Sequence, residues 1–194
     1  RSFHVTGVQT CALPIWFKTY IGLNNSNTSN VYGIWGLLDE FTAYQNGCSA
    51  SLMAYEKALS LKDTATALIF IKESIKTYFA YFEFRAFIGA YLKYAKEYEA
   101  DFYQELLQFT ALRKAFTLNS NLFLSSHYKI NQSVKRLKRH YSSIQWLYEY
   151  NQKTYEKPAV AAMNAFKPEL EAFSAPFELE YAWAKPSSAP ANKK

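Results

Sequence analysis

Two adjacent acids, Asp39 and Glu40, stand inside an otherwise apolar stretch that runs from Gly33 to Gly47. Ile34, Leu37, Leu38, Phe41 and Tyr44 recur there at three- and four-residue spacing, which places them on one face of a helix. A carboxylate on or beside such a face needs a partner, because burying a lone charge costs several kcal/mol. A basic side chain, water at the helix edge, or a metal ion could supply it. The bland alternative is a pair of solvated acids on a helix flank.

The string Gly33-Ile34-Trp35-Gly36-Leu37-Leu38-Asp39-Glu40-Phe41-Thr42-Ala43-Tyr44 resembles the helix that carries the third zinc ligand in gluzincin-type metallopeptidases. It is most similar to exported members in which an acid-aromatic-x-Ala-Tyr string follows a glycine-rich stretch. The resemblance implies that Glu40 coordinates zinc, with Asp39 and Tyr44 near the site. In that family two imidazoles come from H-E-x-x-H on an earlier helix, and the intervening Glu acts as general base on a metal-bound water that attacks a peptide bond. No H-E-x-x-H occurs in this sequence, and neither His127 nor His140 stands in one. The resemblance therefore implies that the histidines and the base lie upstream, and that the piece in hand is inactive alone.

A second cluster, Lys135, Arg136, Lys138 and Arg139, is reinforced by Lys129 and His140. Such a group can bind phosphate backbones or an acidic membrane surface, and Tyr128 and Tyr141 are at hand to stack on bases. No nucleic-acid motif accompanies it. The reading adopted is a solvated face, paired with Glu97, Glu99, Asp101 and Glu105 on a neighbouring helix, and no nucleic-acid partner is expected. The stripe Phe84, Phe87, Tyr91, Tyr94, Tyr98 and Phe102 has helical spacing and is read as core or helix seam rather than a ligand groove. Cys48 has no cysteine or histidine beside it and is read as a small buried residue.

The elements that must position these residues are helical throughout. A helix is expected from Val31 to about Leu61, with a break near Gly47. Asp63 or Thr64 should cap the next one. A very long pattern follows from Ala65 to about Leu118, with Gly89 as a candidate bend. Asn119-Ser120-Asn121 reads as the turn of a hairpin whose second arm is Leu122 to Asn151. A last helix should start at Pro158, which suits a first turn, and be interrupted at Pro168. The expected fold class is all-α, an elongated helical bundle built on a long antiparallel hairpin.

Composition agrees with that class. Of the residues 49% are apolar and 18% aromatic, while the chain of 194 has only six glycines and six prolines. This favours long helices and argues against a many-stranded sandwich. The net charge of +6 is too small for a strongly basic polyanion binder. Thr77 to Ala95, the most apolar stretch, is broken by Glu83, Arg85 and Lys93, so no membrane span is expected.

The beginning of the chain stands apart. Val5-Thr6-Gly7-Val8-Gln9-Thr10-Cys11-Ala12-Leu13-Pro14-Ile15 resembles one reading frame of an adapter oligonucleotide used in sequencing libraries. Residues 1–15 are accordingly expected to be non-native and 16–30 to be a loop remnant of an upstream part. The helical domain is then 31–175, and the Pro- and Ser-containing 176–194 a disordered tail. Cys48 is then the one native cysteine, which excludes an internal disulfide scaffold. Two functions follow as expectations. The first is the carboxy-terminal helical part of a zinc metallopeptidase-like protein, with peptide as substrate and zinc in the full-length form. The second is a non-catalytic helical interaction domain. The compartment is not fixed by this sequence.

Overall fold

A computed structural model describes residues 32–174, and every regular element among them is helical. Helix α1 spans Ile34–Ser60, α2 Thr64–Thr77, α3 Ala80–Tyr98, α4 Ala100–Gln108 and α5 Thr110–Leu137. Helix α6 spans Ser142–Asn151, a π-helical turn Gln152–Glu156, α7 Lys157–Asn164 and α8 Lys167–Ser174. The all-α expectation holds. The expected non-native segment 1–15, loop 16–30 and tail 176–194 lie outside the described residues.

Helices α1 and α2 form the most extensive pair in the molecule, joined by a turn at Leu61–Asp63. Asp63 caps α2 as its side chain predicts, accepting from the Thr66 amide at 3.1 Å. Helix α1 continues through Gly47 without the expected break. At its start Gly33 has φ +59°, and a Cβ there would stand 2.8 Å from the Tyr91 hydroxyl, so glycine serves both the backbone and the close packing.

Helix α3 is the centre. Its first half is buried around nearly the whole circumference, Glu83 included and with Arg85 half-buried, and it is covered by α1, α7 and α8. Phe41 of α1 lies 6.2 Å from the Phe84 ring of α3, and 6.2 and 5.6 Å from Phe116 and Phe123 of α5. Each such ring, fully buried, contributes about 1.5–3 kcal/mol of transfer free energy. The stripe on α3 is core for Phe84, Phe87 and Tyr91, whereas Tyr98 is exposed.

The long hairpin is corrected in its details. Its first arm, expected as one helix bent at Gly89, is divided at Tyr78–Phe79, Glu99 and Phe109. Helix α3 runs straight through Gly89, whose missing side chain has another use. A Cβ there would lie 2.5 Å from Phe166 Cβ, so the glycine lets the α7–α8 junction seat on α3. The expected turn at Asn119-Ser120-Asn121 is the interior of α5. Asn119 donates to Thr42 Oγ1 at 2.8 Å, and Ser120 Oγ accepts from Arg85 Nη1 at 2.9 Å. Polar side chains that would favour a turn in isolation are committed to tertiary hydrogen bonds. The chain reverses instead at Lys138–Tyr141, after Leu137 has packed inward. The last helix begins with proline in its first turn, as expected, and is interrupted at Ala165–Phe166, just ahead of Pro168.

Candidate functional site

Asp39 and Glu40 lie on the flank of α1. Asp39 is exposed and Glu40 half-buried. Burial pushes the Glu40 carboxyl above its ordinary value, and the neighbouring Asp39 charge pushes it further the same way. Among the described residues no cation pairs with Glu40. Tyr44, one turn on, is half-buried, with its ring 5.3 Å from Phe84. The segment therefore presents one partly desolvated carboxylate next to an anchored phenol. Among the described residues no three His, Cys, Asp or Glu side chains converge to hold a metal ion.

Lys135 and Arg136 close α5, and Lys138 and Arg139 form the turn after it; all four are exposed. The expected pairing with acids of a neighbouring helix does not occur among the described residues. Glu97 pairs with Lys93 on its own helix at 3.8 Å, and Lys129 with Glu56 of α1 at 3.5 Å. Among the described residues Lys135, Arg136, Lys138 and Arg139 have no acid partner, and no ion pair or hydrogen bond links them to Glu40.

The densest polar network lies elsewhere, where α2, α5 and the π-helical turn meet. The Tyr78 hydroxyl donates to Glu156 Oε2, and His127 Nε2 stands 3.7 Å from Glu156 Oε1. The His127 ring stacks on Tyr78 at 5.0 Å and meets Phe82 edge-on at 5.6 Å. The Tyr148 hydroxyl donates to Asn131 Oδ1 and accepts from Gln152 Nε2 at 3.0 Å. Burial pushes the Glu156 carboxyl up, but His127, the Tyr78 hydroxyl and Gln152 outweigh it and hold the group below its ordinary value. A π turn shifts the helical register by one residue and recurs at functional sites; here it delivers Glu156 to its donors. An open groove of about 370 Å³ runs past Glu156, lined also by Gln152, Lys157, Val160 and Asn164.

The chain matches no protein-family model, no curated protein and no solved structure.

Sequence reasoning passed over His127, Glu156 and Tyr78 because each is unremarkable locally; Tyr78 and Glu156 are 78 residues apart. The available signal was a histidine on the buried side of α5, between Phe123 and Ile130, both fully buried. Cys48 was placed correctly as a small buried residue, its thiol pushed up to about 11 by burial.

Proposed function

We propose that this chain is the carboxy-terminal helical part of a zinc metallopeptidase-like protein, with Glu40 as the metal ligand it supplies. What supports the reading is the state of that carboxylate. It is half-buried on a glycine-bearing helix, raised in pKa by burial and by Asp39, and without a cation among the described residues. A carboxyl so placed gains most from a cation delivered from outside the segment. Tyr44, one turn along from Glu40 on the same helix, has its ring packed on Phe84 beside the carboxylate. Zinc, when held, would polarise a peptide carbonyl and lower the pKa of a bound water. Two imidazoles and a general base must come from an H-E-x-x-H that this sequence lacks, so peptide hydrolysis belongs to the full-length protein.

The test has two parts. The native gene is read upstream of Trp16, and the full-length protein is assayed for bound zinc with and without Glu40→Ala. The expected result is an upstream H-E-x-x-H and a loss of most of the zinc in the variant. Unchanged zinc content, or no such motif, overturns the assignment.

A second reading, a non-catalytic helical interaction domain, has its own observation. Met53, Leu61 and Ile69 of the α1–α2 hairpin are 69%, 66% and 59% exposed, which leaves three large apolar side chains on one supersecondary unit open to a partner. It stands if the upstream motif is missing.

A further inference from the structure

Among the described residues, no carboxylate neutralises the charge of Arg85. Its Nη1 donates to Ser120 Oγ at 2.9 Å. Its guanidinium carbon lies 5.1 Å from the Phe116 ring centre and 5.3 Å from that of Tyr81. The Nε is buried and has no acceptor. Among the described residues no carboxylate pairs with the group. A guanidinium offers five donors in a planar fork, and a partly buried one left without an anion is costly. Stacking on two rings offsets some of that cost and also fixes the fork in one orientation.

The same side chain lines an open pocket of about 230 Å³ between α3, α7 and α8. Gly89, one turn beyond Arg85, is what allows this pocket to exist, because it seats Phe166 and Leu170 against α3. Met163 and Leu170 give the pocket an apolar wall, and Asn164 adds an amide. Lys167 and Glu171 line it too, paired with each other at 3.6 Å, so their charges offset. Among the described residues that line the pocket, Arg85 is the cation left without a carboxylate.

We propose that this pocket binds a carboxylate carried on a small apolar group, with the carboxylate on the Arg85 fork and the apolar part on Met163 and Leu170. The charge count among the described lining residues favours a monoanion, since a phosphate dianion would exceed the charge of Arg85 and face Glu171. Apolar walls with one convergent charged group are the usual build of a small-molecule site. The proposal rests on Arg85 and is independent of Glu40 and of zinc.

The test is titration of the full chain with N-acetyl-leucine and with N-acetyl-leucinamide, read by calorimetry or by NMR shifts. The acid should bind at least about tenfold tighter than the amide, the size expected for a charge-assisted fork. Arg85→Met should remove that preference. Met163→Trp, which fills the pocket from its wall and leaves Arg85 in place, should weaken the acid by a similar factor. If Arg85→Met does not fold, the acid–amide comparison and Met163→Trp carry the test alone. Equal binding of acid and amide, no saturable binding of the acid, or tight binding retained in Met163→Trp overturns the proposal.

Discussion

Glu83 and Glu156 are two carboxyls drawn into the same helical body, and they end in opposite states. Glu83 sits in the buried first half of α3, where its Oε2 has no donor. Burial alone pushes it up to about 8, so it holds a proton at neutral pH. Glu156 sits in the π-helical turn, where Tyr78, His127 and Gln152 converge on it and hold it ionised. Burial acts on both in the same direction. What differs is the number of donors aimed at the oxygens, and that number decides whether a buried acid is a charge or a neutral polar group. The π turn brings Glu156 to Tyr78 and His127 of other elements and adds its own Gln152, whereas Glu83 Oε2 in the regular helix α3 meets no donor.

The largest test of this contrast is Glu83→Met. The folded-state value of about 8 lies above the ordinary 4.5 of the unfolded chain. Below 4.5 both states are protonated and no penalty exists. Between 4.5 and about 8 the unfolded chain ionises while the folded one does not, so stability falls by about 1.4 kcal/mol per pH unit. Methionine removes both the titration and the orphaned oxygen. The variant should be more stable at pH 7 by on the order of 3 kcal/mol, and nearly level across that pH window. Urea midpoints measured from pH 4 to 9 decide it. A wild type that shows no decline over that range contradicts the neutral state of Glu83.

Glu156→Gln should act with the opposite sign and somewhat less strongly. It keeps an acceptor for Tyr78 but loses the charge that His127 and Gln152 favour. The expected cost at neutral pH is about 2 kcal/mol, within the range for hydrogen bonds to charged groups. The folded pKa is depressed below 4.5, so the stabilisation is present above that value and is lost as pH falls through the folded pKa. Wild type and variant should therefore converge in acid. A constant gap down to low pH would show that the loss comes from packing and not from the charge.

The sequence made the helical class, the Asp63 cap and the proline-led α7 legible, because each depends on residues within one or two turns. It made Glu40 legible only through a motif. The breaks at Glu99 and Phe109 carry no glycine or proline. At the second, the Phe109 ring stacks on Trp35 of α1 at 5.4 Å, a contact no local pattern encodes. The misread turn at Asn119–Asn121 failed for the same reason, since Thr42 and Arg85 supply partners from two other helices. The Arg85 pocket and the Glu156 network are likewise made of residues whose chemistry appears only when α3, α5 and the α6–α7 segment are assembled.

The smallest test separates the donors around Glu156 from one another. Tyr78→Phe removes one hydroxyl while leaving a ring to stack on His127. The cost should be about 1 kcal/mol, that of a single hydrogen bond, because His127 and Gln152 still face the carboxylate. The acid limb of the stability curve should move to higher pH, since one of the groups holding the Glu156 carboxyl low is gone. In the Glu156→Gln background the same substitution should cost less, and the difference between the two costs measures the charge-assisted part of the bond. If Tyr78→Phe costs the same in both backgrounds, the phenol supports the fold without tuning Glu156. The contrast with Glu83 then rests on His127 and Gln152 alone.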